Sequence, residues 1–487
     1  MRSASSSLPA RRGRWMALGH QAMAAGAWDG AIQAFGQGLV EQPPLAAHYA
    51  ASLERARSQW WAEQGGPRAN GTPAKVVVAA AELSHNAAGR AYTLAQLHGH
   101  LGYPVQLLGS HFPQWGSEIW EPLRGVALPI HTLVVDHEPR FVRQAWDLVL
   151  QHPAPLVHLS KPRLPALVFG LLYKLAWGAA VLVDIDDEEL LFVGEREPLS
   201  PEQLLRRGEG WPEPRQLMGP LWTRLAVHLA QGFDGVTVAN RPLQQRYGGT
   251  CIPHGRDPAA LQPATAERRL AARQSFGIPA QAGVVLFFGT PRRHKGVLEV
   301  AAAVAEQPEV LQPLLVVAGA FAPEDRGLEA DLRRRLPEGR LRLLGNQPLH
   351  RAGEVLAMAD LVVLLNSGEV AAFQSPAKLS DALAMGLPVL VRPVPPLQQA
   401  LAGGWVLPAP EDPGLLRDEI AALLANPQRR QAQGARARAG FDAAYALPAV
   451  VPSLAAAAAA ALGAPKPASG QLRDLLQHLN PAMGQLR

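Results

Sequence analysis

Apolar residues recur along this chain with two different periods. Between residues 15 and 64 they fall at helical spacing, whereas from residue 75 short, uniformly apolar runs alternate with amphipathic stretches. KVVVAA (75–80) predicts a buried strand, 84–89 a loop, 91–101 a helix and PVQLLG (104–109) the next strand. Runs at 156–158, 180–184 and FDGVTVAN (233–240) continue the series, with a helical stretch over 164–177. Strands that are apolar on both faces and separated by helices predict a parallel sheet covered on both sides. The alternation stops at 253–262 and restarts at Val284, where VVLFFG, LLVVAGA, LRLLG, LVVLLN and PVLVR predict a second doubly wound domain. The Pro-, Gly- and charge-rich stretch 195–220 predicts a loop or lid. After Glu411 the pattern is helical and alanine-rich, with a frayed tail from Gly463.

The resulting division is a helical segment over 1–66, a linker over 67–74, α/β domains over 75–255 and 256–442, and an alanine-rich helix and tail over 443–487. In the first segment the spacing of Trp15, Leu18, Gly19, Ala31, Phe35 and Pro43 is similar to a tetratricopeptide repeat. One copy cannot bury both its faces, so it packs on the helix at 46–64 or on the main body. It is either a plain helical hairpin or a site for a protein partner.

At 487 residues and 48% hydrophobic composition, the chain is long enough for two or three cores. Lys and Arg (46) exceed Asp and Glu (41) by only five charges, too weak a balance for a nucleic-acid partner. The single cysteine, Cys251, excludes an internal disulfide or a cysteine-based zinc site and reads as buried packing. No apolar run reaches the ~18 residues of a membrane span, and none follows the N-terminal arginines. The expectation is a cytoplasmic protein, at most peripheral to the inner membrane surface.

The chemistry concentrates at strand ends. After the strand at 361–365, Ser375 predicts an N-cap and Pro376 a first helical position, and Gly386 and Pro388 stop the helix near 385. Lys378 in the first turn opposes the helix macrodipole unless an anion faces it, and Asp381 lies three residues on along the same face. Either the two are a surface pair, or one holds phosphate while the other accepts from hydroxyls. The loop TPRRHKG places Arg292, Arg293, His294 and Lys295 at another strand end, as a solvated turn or, with Lys378, as a diphosphate site. In the first domain Asp184, Asp186, Asp187, Glu188 and Glu189 follow a strand, where α/β sheets bind ligands; a solvated helix start is the competing reading. His158 and His254 also read as strand-end residues, without metal-ligand spacing. The loop HNAAGR (85–90) has one glycine, not the three of a dinucleotide site.

Three of these stretches, FFGTPRRHKG, SPAKLSDALAMGLPV and IPHGRD, together resemble the group 1 glycosyltransferases, the large retaining group with the GT-B fold. The resemblance covers roughly 75–442 and implies two facing Rossmann-like domains. The first would take a glycan or lipid-linked acceptor, and the second a nucleotide-sugar donor, with no cofactor and no metal. It implies that Arg292 or Arg293 and Lys295, with Lys378 and the helix start at Ser375, neutralise the donor diphosphate. Fixed cations of this kind stabilise the departing charge without an ion. Asp381 stands where the family usually has a ribose-binding glutamate, and His254 where it usually has asparagine. Eight residues before Asp381 the family often has a sugar-binding glutamate; here it is Phe373, and Glu369 would have to reach the site from elsewhere in the loop. The acceptor would lie near Gly89 and Arg90, its hydroxyl oriented by Asp187 or His158. A non-catalytic nucleotide-sugar binder and a sugar-nucleotide epimerase are the alternatives.

Overall fold

The computed structural model describes residues 13–63, 75–308, 310–322, 325–481, 483 and 486; the expected linker at 67–74 lies outside them. Among these residues the first sheet has seven strands: β1 (Val76–Ala80), β2 (Val105–His111), β3 (Ile130–Val134), β4 (Leu156–Ser160), β5 (Ala180–Ile185), β6 (Gly235–Val238) and β7 (Thr250–Cys251). They pair in parallel in the order β3-β2-β1-β4-β5-β6-β7. The second has six: β8 (Val284–Phe288), β9 (Leu314–Ala318), β10 (Leu341–Gly345), β11 (Leu361–Leu364), β12 (Val389–Val391) and β13 (Leu407–Pro408). Their order is β10-β9-β8-β11-β12-β13, again parallel. The central strands β1, β4, β5, β8, β9 and β11 are buried along their whole length, as helices on both faces of a parallel sheet require. This is the two-domain α/β architecture expected from the alternation.

Helix Leu164–Trp177 is buried at every position because it has cover on both sides, the first sheet beneath it and the N-terminal helices above. Those helices, Arg14–Ala24, Trp28–Glu41 and Ala46–Glu63, pack on one another and on the body. Gly19 lies against the Phe35 ring, with which a Cβ would collide at 2.2 Å. At Gly36 a Cβ would stand 2.8 Å from Leu150, so helix Trp28–Glu41 meets helix Phe141–Gln151 backbone to side chain. Trp60 and Trp177 bring their rings within 5.1 Å, and Arg57 Nη1 donates to the Leu175 carbonyl at 2.8 Å. Ile32, Phe35, Leu53 and Ala56 thus share one core with Trp146 and Trp177. The helices are an outer layer of the first domain, packed both on one another and on the main body, the two partners the sequence left open.

The C-terminal end differs from expectation. Helix Leu447–Gly463 leaves the second domain and lies on the first sheet, with Leu447, Val450 and Leu454 against Val78 and Leu94, and Ala458 and Ala461 against Val76 and Leu156. Its run of small side chains lets helix and sheet approach closely. In place of a frayed tail, Ser469 Oγ accepts from the Leu472 amide to start helix Gly470–Leu479, whose Leu472, Leu475 and Leu476 are buried in the first domain's core. The stretch 195–220 is no simple lid either. Ser200 and Gln203 form a capping box for helix Pro201–Arg206, and Leu199, Leu204 and Leu217 are buried. Among the described residues no helix is long and apolar enough to cross a membrane.

The shared core generates a test. Gly36→Leu is expected to lower stability by about 1–3 kcal/mol through overpacking at a helix contact, read as a lower urea midpoint for the first domain. Removal of residues 1–66 is expected to yield insoluble protein, because the faces around Trp146 and Trp177 lose their cover. A soluble deletion variant with an unchanged midpoint would show the helices to be a separable module.

Candidate functional site

Each sheet reverses its strand order at one place, between β1 and β4 in the first and between β8 and β11 in the second. Loops leaving the carboxyl ends on either side of such a point diverge and leave a crevice. Between the two domains these crevices join in a cleft of about 500 Å³. Gly89, Arg90, Tyr92, Trp120 and Asp187 line it from the first domain, Phe288, Lys295, Gln374, Lys378 and Asp381 from the second. His254 and Arg256 enter from the segment that connects the two.

The second-domain wall begins as bare backbone. Gly289, at φ +133°, and Gly319, at φ +155°, cross so closely that a Cβ on Gly319 would lie 2.2 Å from the Gly289 carbonyl. Both conformations are in the region side chains avoid, so glycine is required here. Lys378 Nζ stands 4.5 Å from the centroid of the Phe288 ring, a cation held over an aromatic face. Lys295 Nζ donates to the Thr290 carbonyl at 3.3 Å. Burial and then the Arg292 charge pull the Lys295 ammonium down to about 8, and burial likewise lowers Lys378. Two cations held in poor solvation are cations in want of an anion.

Asp381 is already engaged. Arg256 Nε donates to its Oδ1 at 2.5 Å, and Lys378 Nζ stands 3.6 Å from its Oδ2. Burial opposes its ionisation, but Arg256 and then Lys378 outweigh that and hold the carboxyl below the ordinary aspartate range. Arg256 Nη1 also donates to Thr93 Oγ1 at 3.0 Å, so one guanidinium ties helix Ala88–His100 of the first domain to helix Ala377–Ala384 of the second. His254 is buried and has no hydrogen-bond partner on Nδ1; burial and four surrounding cations, Arg90 foremost, keep it neutral.

On the first-domain wall the acidic run is neutralised from within. Asp184 receives two bonds of 2.7 Å from Arg90, whose Nη2 also donates to the Ile252 carbonyl at 2.7 Å. Lys161 Nζ donates to Asp186, Asp187 and Glu189 at 2.7, 2.8 and 2.9 Å. These three carboxylates have the spacing to hold a metal ion, and the Lys161 ammonium sits among them as a fixed cation. Lys161 adopts φ 71°, a left-handed conformation rare for a side-chain-bearing residue, in order to reach them. The cluster is therefore a buried ion-pair network and not a solvated loop.

Several residues picked from sequence do not face the cleft. His158 lies inside β4, fully buried, with its ring nitrogens 3.0 Å from His98 and 2.9 Å from Thr237 Oγ1, and burial drives it down to about 3. Arg293 turns outward to Asp331 at 2.7 Å, and Glu369 turns outward to Arg196 at 2.7 Å, both pairs on the surface. Ser375 lines the cleft but caps nothing, because the helix starts two residues later, at Ala377. Arg292 stays beside Lys295, its Nη1 3.4 Å from Asp325. Gly89 and Arg90 belong to the first turn of helix Ala88–His100, and Arg90 is committed to Asp184. The Phe373 side chain packs on the first domain against Ile185, Val238 and Leu243, so an apolar anchor stands where an acid was looked for. Sequence reasoning assigned no role to Lys161, Arg256, Asn366 or Gln374, although Arg256 lies within the quoted stretch IPHGRD and Lys161 in a strand-end loop before the acidic run.

The architecture defines the GT-B class. Anabaena HepE, solved in complex with UDP and glucose, is 15% identical, with 78% of this chain and 98% of that chain covered at a TM-score of 0.58. Sucrose-phosphate synthase from Thermosynechococcus elongatus is 18% identical (78% and 97% covered, TM-score 0.54). The catalytic domain of starch synthase IV from Arabidopsis thaliana, bound to ADP and acarbose, is 13% identical (81% and 100% covered, TM-score 0.57). No curated protein sequence matches the chain. Residues 269–440, most of the second domain, match the family model described as Glycosyl transferases group 1.

The depressed Lys295 ammonium predicts how nucleotide affinity depends on pH. A lysine titrating near 8 is charged below that value and loses its proton above it, whereas a terminal phosphate has finished ionising by then. Affinity for a nucleoside diphosphate, measured by calorimetry, is expected to fall as pH rises from 7 to 9. Lys295→Arg, which stays charged, is expected to flatten the profile. A wild-type profile that is already flat would remove Lys295 from the anion site.

Proposed function

We propose that the protein is a glycosyltransferase that moves a sugar from a nucleotide-sugar donor to a hydroxyl of a glycan or lipid-linked acceptor. The observation that carries the reading is the pair Lys295 and Lys378 at the glycine-walled end of β8, a cationic pocket open to the backbone at the switch point of the group 1 domain. Lys295 has no carboxylate within ion-pair distance among the described residues. A diphosphate supplies the charge that Lys295 lacks and that Lys378 has only in part, since it shares Asp381 with Arg256. Two of the three similar structures named above, one with UDP and glucose and one with ADP and acarbose, support the same donor class.

Chemically, cleavage of the sugar–diphosphate bond leaves its electrons on the departing phosphate oxygen. Lys295 and Lys378, fixed before the reaction, stabilise that charge more than they stabilise the bound donor. Arg292 adds to the local positive potential. The acceptor hydroxyl approaches over the first-domain wall at Tyr92 and Trp120, which supply apolar surface for a sugar ring or a lipid-linked chain. Retention of anomeric configuration rests on the resemblance of the second domain to its family. Transfer without a metal follows from assigning the leaving charge to lysines, with Lys161 held among the carboxylates that have ion-binding spacing.

Lys295→Ala and Lys378→Ala are each expected to weaken nucleoside diphosphate binding roughly 10- to 100-fold, the worth of a hydrogen bond to a charged group, with unchanged melting temperature for Lys295→Ala and a lowered one for Lys378→Ala, which takes a partner from the buried Asp381. Unaltered affinity in both would sink the donor site. Transfer, followed by release of nucleoside diphosphate and by the anomeric proton of the product, is expected to continue in EDTA with retained configuration. Loss of activity that magnesium or manganese restores would assign the leaving charge to an ion. Conversion of the donor sugar to its epimer without acceptor would point to an epimerase.

A further inference from the structure

A hydrogen-bonded chain crosses the cleft floor next to the diphosphate cations. Asn366 Nδ2, just past β11, donates to Gln374 Oε1 at 3.1 Å, and Gln374 Nε2 donates to Asp187 Oδ1 at 2.9 Å, just past β5. The chain runs from one sheet to the other, and its middle member is fixed on both sides. Asn240 Nδ2 donates to the Phe373 carbonyl at 2.7 Å, and the Phe373 side chain is seated on Ile185, Val238, Ala239 and Leu243. Gln374 is therefore presented by a second-domain loop that is anchored on the first domain. All three side chains line the cleft around Asn366, Gln374 and Asp187.

Their chemistry states what they face. Asp187 keeps its negative charge although it is buried, because Lys161 outweighs the burial and Gln374 adds to it. A carboxylate on the wall of this cleft repels a phosphate oxygen and accepts from hydroxyls, and Gln374 has a second N–H and a carbonyl lone pair left for the same purpose. Asn366, Gln374 and Asp187 line the same cleft as Lys295 and Lys378, so the chain and the cations face one ligand. The group of a nucleotide sugar that meets it there is neutral, rich in hydroxyls and joined to the phosphate.

We propose that Asp187 and Gln374 form a sugar-recognition subsite built from both domains, which reads the hydroxyls of the transferred sugar and rejects sugars carrying a carboxylate. The inference rests on the glycosyl-transfer reading and deepens it. Asp187 thus serves the donor, not the acceptor assigned to it from sequence. Phe373 contributes by position, holding Gln374 at the boundary. Discrimination between neutral and acidic sugars follows from placing a second negative charge against Asp187, which is repulsive at hydrogen-bond distance.

The test is calorimetric titration of the full-length protein with UDP, ADP and GDP, then with UDP-glucose, UDP-N-acetylglucosamine, ADP-glucose, GDP-mannose and UDP-glucuronic acid. Gln374→Ala is expected to keep affinity for the nucleoside diphosphate within about twofold and Asp187→Asn to leave it equal or stronger, while each loses about tenfold or more for the preferred sugar nucleotide. Asp187→Asn is also expected to narrow the gap between UDP-glucuronic acid and the neutral donor. A merely structural role would move nucleoside diphosphate and sugar nucleotide together. Equal losses for both ligands would overturn the subsite. Binding of no nucleotide to the unaltered protein would instead overturn the donor site itself, and the subsite with it.

Discussion

Burial of charge at the carboxyl edge of β5 is the constraint on which the cleft depends. Asp184, Asp186, Asp187, Glu188 and Glu189 arrive within six residues, and four of the five side chains are almost wholly buried. Unpaired, each would cost several kcal/mol. Partners come from elsewhere in the chain: Arg90 from the start of helix Ala88–His100, Lys161 and Arg163 from the turn after β4, Arg246 from helix Arg241–Tyr247. Each pairing fixes the element that supplies it. Lys161 accepts a left-handed backbone to make three of them, which a merely solvated lysine would have no reason to do.

The same network sets how the domains meet. Because Arg90 holds the Ile252 carbonyl as well as Asp184, the chain leaves the first domain at a fixed point, with His254 and Arg256 directed at the cleft. Arg256 then pairs backbone to backbone with the returning strand of chain, its amide donating to the Tyr445 carbonyl at 2.9 Å and its carbonyl accepting from the Leu447 amide at 2.9 Å. Two crossings side by side make a narrow connection, and the Arg256 guanidinium bridges Thr93 and Asp381 beside it. Opposite this hinge, Phe373, Gln374 and Glu369 reach the first domain. The cleft is therefore tied at both ends, and its free polar surface is confined to the walls between.

The strands most legible in the sequence were the central ones, where nearly every residue of the run is apolar. Of the four edge strands only β10, the run LRLLG, was legible: β3 (IHTLV) has two polar residues at its centre and is nowhere fully buried, and β7 and β13 span two residues each. The ends of the chain were read as appendages because composition shows a linker and an alanine run, but not which surface they cover. Of the site, Lys295, Lys378, Asp381 and His254 were legible because position after a strand already places a residue near a switch point. Strand-end proximity does not tell which way a side chain leaves, and so His158, Arg293 and Glu369 misled. Arg256 and Gln374 were hidden because their roles come from partners 125 and 187 residues away in the chain.

The central claim is that one ligand spans the cleft, its diphosphate on the lysines of the second domain and its sugar against the carboxylate of the first. A crystal structure of the protein with its best-bound sugar nucleotide tests this most directly. The account predicts phosphate oxygens within hydrogen-bond distance of both Lys295 and Lys378, and a sugar hydroxyl donating to Asp187 with the Lys161 cage intact. A diphosphate bound away from both lysines, or a metal ion displacing Lys161 from Asp186, Asp187 and Glu189 to bridge the phosphates, would contradict it.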